Sequence, residues 1–327
     1  MDAHELLTRN AVEAVTEAEV RDLASDPEGK RAYVGYEPSG RLHLGHMLTA
    51  NKLIDLQEAG MEVVVLLADV HAYLNGKGTF EEIEATAEAM REQFLAYGLD
   101  PDSTEFVYGS SFQLAEDYLL DLHEMAVSTT LNRAQRAMAE LQGDEVAKVS
   151  HVVYPLMQAL DIEYLDLDLA VGGLDQRKVH MLAREELPDL GYSARPAIHT
   201  PILADLGTGV GKMSSSSGGI EISLADSRED LTEKINDAYC PPTRDPEPNE
   251  EGKERENPVL QLFQYHVFPR FDSVTVERPD EYGGDVTYGS YGELAAAMEE
   301  GDLHPMDAKE TLVEYLDDLM APAREKL

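Results

Sequence analysis

Two segments of the 327-residue chain carry residue types that could handle a polyphosphate. The first is Pro38-Ser39-Gly40-Arg41-Leu42-His43-Leu44-Gly45-His46, placed after a strand-like Ala32-Tyr33-Val34-Gly35-Tyr36 and before a helical pattern. A helix N-terminus offers free N–H groups and the positive end of a dipole, both suited to phosphate. Gly45 lacks a Cβ, so a nucleotide base or ribose could lie against the backbone there. Two imidazoles three residues apart, His43 and His46, can donate to phosphate oxygens as charge develops on them. Read alone, the segment also fits a helix start with two incidental histidines; without a third ligand nearby it makes a thin metal site. The second segment is Gly211-Lys212-Met213-Ser214-Ser215-Ser216-Ser217-Gly218-Gly219. Its Gly and Ser suit a loop able to close the Lys212 ammonium over a polyphosphate in the transition state. Alone, it also reads as a surface linker.

A third constellation concerns a smaller ligand. Tyr154, Gln158 and Asp161 stand at i, i+4 and i+7, so they share one helix face. Pro155 suits the first turn of that helix. A ligand of phenol size beside this face could give its hydroxyl to Asp161, while Tyr154 and Gln158 hold an ammonium end. Tyr33, on the strand before the first segment, can meet the same hydroxyl. Gly172-Gly173-Leu174-Asp175-Gln176 follows another strand, where α/β sheets bind ribose and ligand ends. The helix face also reads as a solvated amphipathic stripe.

Together, in this order and about 165 residues apart, the first two segments resemble the HIGH and KMSKS signatures of class I aminoacyl-tRNA synthetases, here HLGH and KMSSS. The whole chain resembles the tyrosyl-tRNA synthetases of the archaeal and eukaryotic type. The resemblance is carried by AYVGYEPSGRLHLGH, LLADVHAYLNGKG, YPLMQALDIEYL, LAVGGLDQRKVHMLARE, GKMSSSS and LHPMD. It implies activation of L-tyrosine by ATP, with pyrophosphate released, and transfer of the tyrosyl group to tRNA(Tyr). His43, His46 and Lys212 would then act on the phosphates. Tyr33 and Asp161 would meet the phenol, and Tyr154, Gln158 and Gln176 the α-amino group. Gly35, Glu37, Gly45, Asp175, Met213 and Ser214 would complete the ATP site. Arg136, Arg177, Lys178 and Met181 would approach the acceptor stem; Arg133 is a further candidate. Tyr282 and His304 would stack on anticodon bases and Asp307 would hydrogen-bond the first of them, as single-stranded RNA is commonly read. The resemblance further implies a homodimer. Mg²⁺ is expected to arrive with ATP, with no dedicated protein metal site. Rival readings are a tryptophanyl-tRNA synthetase, against which Tyr33 with Asp161 speaks; a nucleotidyltransferase that makes a cofactor; and a non-catalytic RNA-binding paralogue.

The elements that must position these residues alternate. Strand patterns at 32–36, 62–69 and 168–171 are separated by helical patterns at 44–59, 80–97 and 114–141, with another at about 175–186. Glu62-Val63-Val64-Val65-Leu66-Leu67-Ala68-Asp69 is nearly all apolar, as in a parallel strand covered on both faces. The expectation is an α/β chain: a doubly wound, Rossmann-like parallel-sheet catalytic domain over 1–225, then a smaller, mainly helical anticodon-binding domain over 226–327. Residues 1–25 read as helical and polar. Cys240 to Glu256, rich in Pro and charge, reads as a loop, and 306–325 as a helical tail.

Composition bounds the setting. Sixty-four acidic residues against 26 basic ones give a net charge of −38, and only ten of the basic residues are lysine. This balance suits molar salt, where the Debye length shrinks to about 3 Å and self-repulsion is screened. The apolar periodicity argues against an acidic disordered chain. The single cysteine, Cys240, excludes an internal disulfide and any zinc site needing two cysteines. No apolar run reaches 18 residues and the N-terminal stretch lacks a signal-like apolar core, so no membrane partner and a cytoplasmic enzyme are expected.

Overall fold

The computed structural model describes residues 1–142, 148–213 and 219–327, and the side chains of 139–142 and 282 also fall outside the description. The chain forms two compact units. One comprises Met1–Arg41 and Thr49–Pro201; the other comprises Leu42–Leu48 and Ile202–Leu327.

The first unit is built on a six-stranded sheet: β1 (Glu13–Val15), β2 (Arg31–Tyr36), β3 (Glu62–Leu67), β4 (Thr104–Tyr108), β5 (Leu169–Gly173) and β6 (Ala197–Thr200). Their spatial order is β1-β6-β5-β2-β3-β4. All neighbours are parallel except the edge strand β1, which runs antiparallel to β6. The chain moves outward from β2 to β3 and β4, then returns to lay β5 and β6 on the other side. The strand order therefore reverses between β2 and β5, where doubly wound sheets take their ligands. Val63 to Leu67 are 0–1% exposed, which explains the uninterrupted apolar run.

The helices of this unit are α1 (Ala3–Thr8), α2 (Glu17–Ala24), α3 (Leu44–Glu58, its first turn grouping with the second unit), α4 (Asp69–Leu74), α5 (Phe80–Tyr97), α6 (Glu116–Ser128), α7 (Leu131–Gln142), α8 (Ser150–Tyr164) and α9 (Arg177–Glu186). The core joins Tyr33, Val64 and Leu66 from the sheet to Leu156, Leu160 and Leu182 from α8 and α9. Helix α1 is held at its C-terminal end by a buried cation. The Lys52 ammonium donates to the carbonyls of Leu6 and Leu7 at 3.0 and 3.1 Å, and Arg9 Nε donates to Asp55 at 3.0 Å. Carbonyls left over at a helix end are natural acceptors for such a group.

Three expectations are corrected. Residues 1–25 are not helical throughout, because β1 separates α1 from α2. The pattern at 114–141 is two helices: Thr129 turns to extended backbone, and Thr130 Oγ1 accepts from Arg133 N–H at 3.3 Å, which starts a new helix. Pro155 lies inside α8 and not in its first turn, since the helix begins at Ser150.

The second unit contains α10 (Arg228–Asn236), α11 (Pro258–Leu262), α12 (Tyr291–Glu300) and α13 (Pro305–Arg324), with an antiparallel pair, β7 (Val274–Val276) and β8 (Val286–Tyr288). Its compact core takes in 202–225, short of the 225/226 boundary expected from sequence. Among its described residues, that stretch adds no strand to the large sheet. Instead its backbone bonds within the unit, Leu224 N–H to the Leu42 carbonyl and Tyr239 N–H to that of Leu206. Cys240 to Glu256 form neither helix nor strand.

Candidate active site

In the first unit the pocket residues gather where the strand order reverses. Tyr33 on β2 is 1% exposed and Asp161 on α8 is fully buried. Asp161 Oδ1 accepts from Gln113 Nε2 and from the Tyr118 hydroxyl, each at 2.8 Å. The other carboxylate oxygen, Oδ2, has no hydrogen-bond partner, and neither has the Tyr33 hydroxyl. His71 Nε2 stands 3.9 Å from that Oδ2 and is likewise unpaired, as is Gln158 Oε1. Buried polar atoms are nearly always paired, so four unpaired ones in one region mark a place for a polar ligand. Burial pushes the Asp161 carboxyl up to about 7, against the pull of Gln113 and Tyr118. Burial raises Tyr33 also, and Asp161 adds to the push while Gln158 opposes it. The His71 imidazole is lowered by burial to about 4, so at neutral pH it is uncharged.

Around this centre, Gln158 Nε2 donates to Gln176 Oε1 at 2.9 Å. The Tyr154 ring meets the His71 ring edge-on at 4.4 Å between centroids. Burial raises the Tyr154 phenol well above its usual range, and Glu37 raises it further. Glu37, expected on the ATP side, also accepts from Asn75 Nδ2. A Cβ at Gly173 would come within 2.6 Å of the Asp175 carboxylate, so that side chain would have to shift to admit one. Gly35 shows no such demand: a Cβ would make only ordinary contacts with Tyr33 and Leu66, at 3.6 and 3.7 Å. Sequence reasoning missed Gln113, Tyr118 and His71. Gln113 and Tyr118 lie 48 and 43 residues from Asp161, so no local spacing links them to it. His71 had one signal, its position just past the end of the apolar strand β3.

The second unit holds the other cluster. The His43 and His46 rings lie tilted by 37° to one another, with centroids 3.8 Å apart. His43 Nδ1 accepts from Gly45 N–H at 3.1 Å, and His46 Nδ1 accepts from His43 N–H at 3.4 Å. Both imidazoles are lowered, first by burial and also by Lys212; His43 and His46 further repel, while Glu221 pulls His43 upward. A neutral ring that accepts at Nδ1 carries its proton on Nε2. Both rings thus present Nε2–H donors. Two expectations change here. The N–H groups of Leu44 and Gly45 are already bonded, to the Ile222 carbonyl and to His43, so the side chains and not these amides are left to meet a phosphate. The space above Gly45 is filled by His43 itself, whose Cε1 would lie 2.9 Å from a Cβ. Lys212 is exposed and pairs by backbone with Ala204. Met213 is buried, its N–H bonded to the Leu203 carbonyl at 2.8 Å. Ser214 lies outside the described residues. Among the described residues, no group of three or more His, Cys, Asp or Glu stands together as a metal cage.

The expected RNA contacts fall on surfaces. Arg177, Lys178 and Met181 lie on α9, with Arg177 and Met181 one helical turn apart. Arg136 is exposed on α7, which packs against α9. Arg133 is engaged by Glu185 at 2.6 Å. In the second unit, His304 is exposed and caps α13, its Nδ1 accepting from Met306 N–H at 3.1 Å, and Asp307 sits in that helix's first turn. Tyr282 closes a short 3₁₀ turn, Asp280–Tyr282, and its side chain is outside the description. Among the described residues no helix is long and apolar enough to cross a membrane.

The whole chain is similar to known proteins. It is 70% identical over 327 residues to the tyrosine–tRNA ligase of Halobacterium salinarum, covering all of this chain and 98% of that protein. Identity to the tyrosine–tRNA ligase of Halorubrum lacusprofundi is 67%, over all of this chain and 99% of the other. Among solved structures, the tyrosyl-tRNA synthetase of Archaeoglobus fulgidus complexed with L-tyrosine superposes with a TM-score of 0.91 at 53% identity, covering 99% of this chain and 98% of that one. The family model described as tRNA synthetases class I (W and Y) matches residues 27–321, and the chain belongs to that family.

Proposed function

We propose that this chain is a tyrosine–tRNA ligase. It joins L-tyrosine to ATP, giving tyrosyl-adenylate and pyrophosphate, and then passes the tyrosyl group to the 3′ end of tRNA(Tyr). One observation carries the choice of amino acid: the unpaired Tyr33 hydroxyl and the unpaired Asp161 Oδ2, buried together at the strand-order reversal. A phenol would donate to the carboxylate and accept from Tyr33. Phenylalanine would leave both unpaired, at a cost of about 1–3 kcal/mol for each. The handicap of phenylalanine at such a site reaches about 10⁵ in tyrosyl-tRNA synthetases, which serve as the reference case for this effect.

In the activation step a tyrosine carboxylate oxygen attacks the α-phosphorus, and the bond to the bridging oxygen of pyrophosphate breaks. No protein nucleophile is needed. The Nε2–H groups of His43 and His46 and the Lys212 ammonium stabilise charge on the phosphates as it moves to the leaving group. Gly35, Glu37 and Asp175 are proposed to hold the adenosine side, with Met213 and Ser214 beside the phosphates. Tyr154, Gln158 and Gln176 hold the α-ammonium, and Mg²⁺ arrives on the nucleotide. Arg136, Arg177, Lys178 and Met181 are proposed to meet the acceptor stem, and Tyr282, His304 and Asp307 the anticodon. This divides the chain by role into a catalytic part, 1–225, and an anticodon-reading part, 226–327. The protein acts in the cytoplasm as a homodimer; the exposed Leu120 and Val127 of α6 and Leu131 of α7 are apolar side chains that a second copy could cover.

The test is amino-acid-dependent ATP–pyrophosphate exchange in molar KCl, with tyrosine, tryptophan and phenylalanine in parallel. Exchange with tyrosine alone is expected. Exchange with tryptophan would overturn the roles of Tyr33 and Asp161, and none from folded protein would overturn the reaction.

A further inference from the structure

A chain of directed hydrogen bonds in the first unit lies outside the chemistry above. It begins at Glu13 on the edge strand β1. Arg177 Nε donates to both Glu13 oxygens at 2.8 Å. Glu13 Oε2 also bonds His199 Nδ1 at 2.8 Å, and His199 Nε2 bonds His180 Nδ1 at 3.0 Å. His180 and His199 are both buried, their rings stacked at 5.1 Å between centroids. The last atom of the chain, His180 Nε2, is buried and unpaired. Its ring and the Gln176 side chain both neighbour Gly172. A Cβ at Gly172 would lie 3.3 Å from His180 Cε1 and 2.9 Å from Gln176 Cγ.

The polarity of this chain is fixed at the carboxylate end. Burial alone would raise the Glu13 carboxyl, but Arg177 and His199 outweigh it and hold Glu13 below its usual range. An ionised carboxylate only accepts. His199 must therefore donate from Nδ1. Burial lowers both imidazoles, so each is neutral and carries one proton. With its proton on Nδ1, His199 offers only a lone pair at Nε2. His180 must then donate from its own Nδ1. Two rings are thus locked in one tautomer by an acid at the sheet edge.

We propose that Glu13 is a positioning residue for tRNA charging: braced from behind by His199 and His180, it holds the Arg177 guanidinium in the orientation that meets the acceptor end. This rests on the reading of Arg177 as an acceptor-stem contact. The hold is on one edge of the guanidinium, because its Nε–H is shared between the two carboxylate oxygens and the ion pair closes at 2.8 Å, which orients the planar group. The brace explains why a strand of three residues is added antiparallel to an otherwise parallel sheet. It delivers one carboxylate to the first turn of α9.

The test uses full-length protein in molar KCl, with tyrosine-dependent ATP–pyrophosphate exchange as the control for folding and activation. Glu13→Ala is expected to raise KM for tRNA about three- to tenfold while exchange stays within about twofold of wild type. Glu13→Gln keeps the size and one acceptor for Arg177, and should recover part of the loss. Equal losses in exchange and charging, or no change in either, would overturn the proposal. Arg177→Ala separates the two readings. If it leaves KM for tRNA unchanged, the acceptor-stem reading fails and this proposal fails with it. If it raises KM and Glu13→Ala does not, only the positioning role falls. If both raise it, Glu13→Ala should add nothing in the Arg177→Ala background. A second readout is the nitrogen chemical shifts of labelled histidine in the wild-type protein. His180 and His199 should both show protonated Nδ1 and bare Nε2; a protonated Nε2 on His199 would break the chain as described.

Discussion

Asp161 has two jobs that pull in opposite directions. It is fully buried, its carboxyl raised to about 7, yet it is the proposed acceptor for the substrate phenol. Between about pH 4 and 7 the folded protein keeps a proton on Asp161 that the unfolded chain has released. Stability must then fall as pH rises through that window and level off above it. Tyrosine binding should run the other way, because only the ionised carboxylate accepts a phenol without losing a proton. We expect the tyrosine Kd to fall about tenfold between pH 6 and 8 in calorimetric titrations, and the dependence to vanish in Asp161→Asn. A flat profile in the wild type would exclude this role. Tyr33→Phe offers a companion experiment. It deletes a buried hydroxyl that has no partner, so denaturant unfolding without tyrosine should show equal or greater stability, by up to about 1 kcal/mol. Selectivity for tyrosine over phenylalanine in the exchange assay should drop at the same time. The sequence disclosed Tyr33, Gln158 and Asp161, since a helix face and a strand end are local patterns. It did not disclose Gln113 and Tyr118, which hold Asp161 across more than forty residues of chain.

At the level of elements, the long apolar strand and the helices with clean periodicity were readable, and the short or interrupted ones were not. β3 announced itself because both faces are covered. β1, three residues long and half-buried, carries no alternation to detect. The break between α6 and α7 is marked by a threonine hydroxyl that accepts from one amide, a signal no hydrophobic period carries. Gly45 shows how an element start can be misread. Its missing Cβ makes room for the His43 ring and not directly for a nucleotide. Gly45→Ala should therefore push His43 off its Nδ1 bond while leaving α3 intact. We expect exchange kcat to fall about ten- to a hundredfold, with Tm within a few degrees of wild type. An unchanged kcat would mean that the orientation of His43 does not matter to the chemistry.

Across the whole molecule, charge sets the working conditions. A net charge of −38 on 327 residues repels itself strongly once salt no longer screens it. Thermal unfolding followed by circular dichroism should give a Tm that falls by more than about 10 °C when KCl is lowered from about 3 M to about 0.3 M. That expectation follows from composition alone. Composition could not foretell that residues 202–225 join the second unit, because compactness is decided by backbone pairing and not by residue type. The buried Lys52 that closes the end of α1 has a use of its own. Lys52 as a whole is 1% exposed, so an acylating reagent can reach its amine only when the N-terminal segment lifts away. That segment also carries β1 and Glu13. The rate at which Lys52 gains an adduct, read by mass spectrometry, is thus a clock for the detachment of the chain's first strand, and it should slow as salt is raised.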